Sequence, residues 1–301
     1  MKKEMLLLTA TLALAFCFSS CKNEDEIYNP KCKISKIWHR SEVGAPNEIF
    51  HYTKKGQLEM IDFINNEYVT DVDRAVFAYN KDKTVSEITY TTQDGTVETI
   101  SFTYNKKKQT VNKMEYKEEG VVLKEVTFTR DEEEGKLTKI EEQYNDELIQ
   151  KIANGTLSRF YIRFLGDETE MDIMLKKSGA KAMQLAKTID VVYDAEFENI
   201  IETTTTVYKF NIVTKKSFQY DKGNNPYFGL PYFYNDRQNF DLVGFSKNNL
   251  SAMTSESYQG DILITSTSST YAYKYNKKQF PTFIVKTTDN MPTNTYILYK
   301  E

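Results

Sequence analysis

Few residues in this chain have the types and spacing that catalysis or metal binding requires. The two histidines, His39 and His51, suit neighbouring strands, but no acidic or cysteine pattern at ligand spacing accompanies them. They read as ordinary core or surface histidines. Asp131-Glu132-Glu133-Glu134-Gly135 is dense in carboxylate. It lacks the alternating acids and the later bidentate glutamate of a calcium loop, and it reads as a solvated turn. No G-x-S-x-G, H-E-x-x-H, P-loop or Rossmann glycine pattern occurs. A glycosidase carboxylate pair is set in space, not in sequence, and stays open on these grounds. The expectation is a protein that is not an enzyme and uses no cofactor or metal.

The N-terminus carries chemistry of another kind. Lys2 and Lys3 precede a short apolar run from Met5 to Phe18, too short to span a bilayer, as in a secretory signal. Phe18-Ser19-Ser20-Cys21 resembles a bacterial lipobox, which implies cleavage before Cys21 and acylation of its thiol. Cys17 is the poorer site because bulky Phe16 precedes it. Lys22-Asn23-Glu24-Asp25-Glu26 resembles the export signal that sends Bacteroidetes lipoproteins to the outer face of the outer membrane; a solvated tether is the plainer reading. The expected organisation is a signal peptide over 1–20, a lipid-anchored tether over 21–31 and one β-rich domain over 32–301. The expected location is the outer membrane, lipid-anchored and exposed at the cell surface. A formal charge of −4 argues against nucleic acid as a partner. With Cys21 acylated, Cys32 has no partner for an intramolecular disulfide.

The elements that position everything else are hairpins. Phe77-Ala78-Tyr79-Asn80 is echoed by Phe102-Thr103-Tyr104-Asn105, each an aromatic-x-aromatic strand end followed by a lysine-bearing turn. Phe50, Phe77, Phe102 and Phe128 recur at spacings of 27, 25 and 26 residues, and Phe218-Gln219-Tyr220 and Tyr273-Lys274-Tyr275 repeat the motif later. Two strands per period make an all-β, antiparallel up-and-down meander, a strongly curved or barrel-like sheet. The 21 tyrosines and 18 phenylalanines suit strands. A three-residue Asp94-Gly95-Thr96 loop would pair Tyr90 with Ile100 and Ile88 with Phe102, putting Ile88, Tyr90, Ile100, Phe102 and Tyr104 on one apolar face. Met171, Met174, Leu175, Ala182, Met183 and Ala186 recur at helical spacing, predicting one short inserted helix over 168–187.

The residues FSSC, the FAYNK-type repeats, FQYDKGNNPYFGL and the closing YKYNKKQFPTFI resemble a family of Bacteroidetes lipoproteins of unknown function described as porin-like. The resemblance covers most of the mature chain and implies a β-rich, barrel-like fold with no known activity. "Porin-like" does not imply a pore here, because Thr, Glu and Lys fill the non-aromatic strand faces. Two functions follow as expectations: a surface binding module for glycan, or a structural or assembly component whose partner is another envelope protein. The 224–234 loop concentrates two prolines and five aromatics. It is the expected ligand platform, with Tyr227, Phe228, Tyr232 and Tyr234 stacking on sugar rings; the competing role is a plug for the end of the sheet. The strand ends Tyr52, Tyr79 and Tyr104 should share one rim. The turn lysines Lys54, Lys55, Lys81, Lys83, Lys106, Lys107 and Lys108 would gather there, with the acidic run 131–134 on the same rim and Asp94, Glu118 and Glu119 on the other; the readings are a weak site for anionic envelope sugars or simply soluble turns.

Overall fold

The computed structural model describes residues 28, 31–39, 44–65, 70–105, 110–132, 135–164, 184–196, 198–208, 211–230 and 243–300. The described residues form sixteen strands: β1 (Ile34–His39), β2 (Glu48–Tyr52), β3 (Leu58–Ile64), β4 (Val72–Tyr79), β5 (Val85–Thr91), β6 (Val97–Tyr104), β7 (Val111–Glu118), β8 (Val121–Arg130), β9 (Leu137–Tyr144), β10 (Gln184–Tyr193), β11 (Ile200–Val207), β12 (Ile212–Asn224), β13 (Asn248–Gln259), β14 (Ile262–Tyr275), β15 (Pro281–Thr288) and β16 (Met291–Tyr299). Each pairs antiparallel with its chain neighbours, and β1 pairs with β16, so the meander closes into a barrel. Closure leaves no edge strand among the described residues. Every even strand ends, and every odd strand begins, at one end of the barrel. Tyr52, Tyr79 and Tyr104 share that end, as the repeat predicts.

The repeated turn has one geometry. Thr53 N bonds Gln57 O, Asn80 N bonds Thr84 O and Asn276 N bonds Phe280 O, each across a three-residue loop. The third loop residue takes positive φ: Gly56 at 82°, Lys83 at 73° and Gln279 at 62°. This is a type I turn completed by a left-handed residue. The Asn side chain braces it where present: Asn276 Oδ1 accepts from Lys278 N at 2.9 Å and from Phe280 N at 3.1 Å.

The same loop corrects the expected β5–β6 register. Thr92 N bonds Thr96 O, and Gly95 sits at φ 87°, so the loop is Gln93-Asp94-Gly95. Ile88 pairs with Ile100, and Tyr90 pairs with Glu98, not Ile100. The shift is two residues, so the faces stay as expected: Ile88, Tyr90, Ile100 and Phe102 are buried. The cause is that glycine belongs at the left-handed third position, and Asp94 Oδ1 fixes it there by accepting from Thr96 N at 3.1 Å. Glu98 is thereby carried into the interior.

Of the helix expected over 168–187, only the last four positions are described, and they are strand. Gln184–Lys187 opens β10, and residues 168–183 lie outside the described residues. The described helices come earlier, between β9 and β10: α1 (Asp146–Ala153) and α2 (Arg159–Phe164). Asn145 caps α1 by accepting from Leu148 N at 2.8 Å. Leu148, Ile152 and Phe160 are buried, so the insert packs into the barrel at the end opposite the tyrosines. Phe160 stacks on Tyr90 at 4.7 Å, and Tyr161 meets Tyr116 edge-on at 5.5 Å. The interior beside β3–β9 is therefore filled by side chains, as in a soluble core.

At the tyrosine end, four hydroxyls tie each returning strand to the start of the strand before it. Tyr79 Oη donates to Leu58 O at 2.6 Å, Tyr220 to Ile200 O at 2.6 Å, Tyr273 to Leu250 O at 2.5 Å and Tyr299 to Pro281 O at 2.7 Å. Burial pushes all four hydroxyls above their ordinary pKa. Tyr28 also packs against the core at this end, beside Tyr52, so the expected 21–31 tether is already fixed to the barrel at Tyr28.

Candidate binding surfaces

The 224–234 loop begins as a lid. Tyr227 is 1% exposed and joins the core with Leu230 and Phe245. Asn225 Nδ2 donates to Ser246 O at 2.8 Å, and Gly229 N bonds Gly244 O at 2.9 Å, fastening the loop to the segment that leads into β13. Gly244 has no room for a side chain, since a Cβ there would meet Leu230 O at 3.0 Å. Tyr227 is thus withdrawn from the expected platform by burial. Phe228 is half-buried, and Tyr232 and Tyr234 lie outside the described residues.

The histidines occupy opposite faces of the wall. His39 follows the inward parity of Ile37 and lies 3.3 Å from Glu48. His51 lies on the outer wall, 2.9 Å from Asp62, which also accepts from Arg74 Nε at 2.7 Å. Asp131 uses both carboxylate oxygens on its own turn, accepting from Gly135 N at 3.1 Å and Lys136 N at 3.0 Å. Among the described residues, no group of three or more His, Cys, Asp or Glu is placed to hold a metal ion. Cys32 is a free, buried thiol.

Two buried acidic networks were not legible as a site. Asp73 and Glu98, 0% and 1% exposed, lie beneath the insert. Tyr90 Oη donates to Asp73 at 2.7 Å, and Arg159 Nη1 reaches Asp73 at 3.3 Å and Asp71 at 2.9 Å. Glu98 Oε1 accepts from Ser158 Oγ at 2.6 Å and from Tyr116 Oη. Burial raises the Glu98 carboxyl despite those two donors. Both acids latch the insert to the barrel, and neither presents an oxygen to solvent. On the next strands, Lys124 Nζ lies 2.9 Å from Glu142, with Lys187 at 3.7 Å and Tyr144 Oη donating at 2.6 Å. Burial pushes Glu142 up, but Lys124, Lys187 and the Tyr144 hydroxyl together hold it below the ordinary carboxylate range.

The outer wall differs sharply from one side to the other. On β7–β9 it carries a grid of ion pairs: Lys113 to Glu125 at 2.7 Å, Lys117 to Glu115 at 2.9 Å and Lys139 to Glu141 at 2.8 Å. A lysine facing acyl chains at mid-bilayer costs about 2–4 kcal/mol, so this wall suits water. Across the β14–β15–β16–β1 seam, the register instead aligns Lys274, Phe283, Tyr296 and Trp38 in one row. Phe283 and Tyr296 lie 4.7 Å apart with planes tilted by 42°, and Lys274 Nζ lies 5.2 Å from the Phe283 centroid. Trp38 Nε1 donates to Gly44 O at 3.2 Å, which fixes the indole. Leu298, half exposed, extends this apolar panel. Sequence reading missed the row because its members come from opposite ends of the chain.

The described residues thus form a closed, all-antiparallel up-and-down barrel with its interior filled by side chains beside β3–β9, a lid at one end and an aromatic panel on its wall. No protein-family model matches the sequence, and no curated protein matches it. Among solved structures, the chain is similar to a porin-like protein from Bacteroides uniformis, with 14% identity, 89% of this chain and 98% of that one covered, and a TM-score of 0.49. A porin-like protein from Bacteroides vulgatus gives 10% identity, coverage of 90% and 99%, and a TM-score of 0.49. Likenesses this slight transfer nothing about activity.

Proposed function

We propose that this chain is a non-catalytic, lipid-anchored binding module of the bacterial cell envelope and that its ligand is a glycan. The observation that carries the reading is the Phe283–Tyr296–Trp38 row, three aromatics aligned across adjacent strands, in contrast to the ion-paired wall of β7–β9. Aromatic faces suit the apolar faces of sugar rings, and the Tyr296 hydroxyl and Lys274 offer polar contacts beside them. Phe228, Tyr232 and Tyr234 keep a place as a second contact from the 224–234 loop. Trp38→Ala and Tyr296→Ala are expected to lose retention on a glycan array while melting near wild type. A wild type that retains no glycan, or variants that retain it fully, would end this reading. The anchor is tested separately: mass spectrometry should find acylated Cys21 at the mature N-terminus.

A second reading, an assembly component of an envelope complex, is favoured by a different feature. The β13–β14 hairpin exposes Ile262, Leu263 and Ile264 in succession at 71%, 50% and 48%. Three consecutive exposed apolar residues suit a protein partner better than a sugar. Cross-linking in cells that joins a partner to wild type, and not to Ile262→Ser with Leu263→Ser, would support it.

A further inference from the structure

Barrel closure assembles a charged arc that the chain order conceals. Going round the tyrosine end, the β14–β15 turn carries Lys277 and Lys278, the β2–β3 turn Lys54 and Lys55, and the β4–β5 turn Lys81 and Lys83, all exposed. Between the first and second of these turns lies the β16–β1 seam, with exposed Lys300 and half-buried Lys33. Asp82, inside the arc, is engaged by its own turn, accepting from Thr84 Oγ1 at 2.6 Å and Thr84 N at 3.2 Å. Among the described acids of this end, exposed Glu59 at the start of β3 also lies within the arc, and half-buried Asp221 near the end of β12 accepts from Tyr275 Oη; a further group stands in another sector, at Asp131 and Glu132 after β8 and at Asp194, Glu196 and Glu198 after β10. The opposite end has acidic tips at Asp94, Glu119, Asp261 and Asp289. The barrel is thus polarised both along its axis and around one rim.

We infer that this lysine arc docks the barrel, tyrosine end down, on an anionic lipid surface. The chain enters β1 in the middle of the arc, and Tyr28 is already packed at that end. Tyr28 lies seven positions after Cys21, a span that fully extended reaches about 25 Å at most. The choice of a membrane as occupant rests on acylation of Cys21, which holds this end, and no other, within that distance of the bilayer. A cluster of lysines adds about 1 kcal/mol per residue near an anionic surface and would orient the anchored barrel on it.

The test uses the full chain with Cys21→Ala, which carries no acyl group, so vesicle binding reports the arc and not the anchor. Vesicles containing phosphatidylglycerol are compared with phosphatidylcholine alone, which measures whatever the apolar leader contributes. The expected result is extra, salt-sensitive binding to the anionic vesicles. It should fall roughly thirtyfold for each lysine pair removed, Lys54→Gln with Lys55→Gln or Lys277→Gln with Lys278→Gln. The wall control, Lys113→Gln with Lys117→Gln, should bind as before. The proposal is overturned if anionic vesicles bind no better than neutral ones or if the wall control loses as much as the arc variants. It is overturned equally if the arc lysines are needed only for retention on an acidic polysaccharide. Failure of the anchor, seen as unmodified Cys21 in the wild type, would leave the vesicle comparison intact.

Discussion

At the scale of single residues, the interior carboxylates set opposite responses to pH. Glu98 is raised by burial, so the fold binds its proton more tightly than the unfolded chain does; stability from this group is gained as pH falls toward the raised value and lost as pH rises through it. Glu142 is lowered, so its contribution is present above the ordinary glutamate pKa and is lost as pH falls through the depressed value. Glu98→Gln keeps the shape and removes the charge. It should melt no lower than wild type at neutral pH and should lose the gain seen on mild acidification, read by thermal melts across pH. Lys124→Met leaves Glu142 with Lys187 as its remaining buried cation and should cost about 3–5 kcal/mol in denaturant titration. Tyr227→Ala should cost a similar amount, about 3–5 kcal/mol, as truncation of a buried aromatic does. A Tyr227 variant as stable as wild type would return that ring to the surface.

At the scale of elements, the insert and the tyrosine ties hold different parts with different strength. Phe160 is fully buried and stacked on Tyr90, so Phe160→Ala should destabilise by about 3–5 kcal/mol and loosen α1 and α2. Hydrogen exchange should then speed first in Leu148–Ile152. Tyr79→Phe removes one hydroxyl bond to Leu58 O and keeps the ring, so about 0.5–1.5 kcal/mol is expected. Equal losses from the two substitutions would mean that the insert is not a core element.

At the scale of the molecule, the decisive contact is β1 with β16. Ile37 meets Ile297 on the inner face, and Lys36 pairs with Leu298 on the outer one. A disulfide from Lys36→Cys and Leu298→Cys would lock the seam and close a loop longer than 100 residues. The chain-entropy limit for such a loop is about 5 kcal/mol, lost again on reduction. A pair that stays reduced under oxidising conditions would argue that the barrel is open.

The sequence by itself determined the hairpins, their turns and their faces. Alternation and turn chemistry act over a few residues, so Phe77, Tyr79, Phe102 and Tyr104 announce both strand and rim. Glycine at 95 contained the true β5–β6 register as well, since the left-handed place is the third of the loop. Glu98 lies on the same alternating face as Ile100 and Phe102, so its inward position was also readable. Other features needed the closed structure. Whether Tyr227 faces water depends on whether the loop folds into the core, where Leu230 and Phe245 are buried as well. The Trp38–Tyr296–Phe283 row and the arc from Lys277 to Lys83 exist only because strands from the two ends of the chain pair. Such a pairing is fixed by completing the sheet's hydrogen bonds around a common core, a long-range condition that no local spacing records.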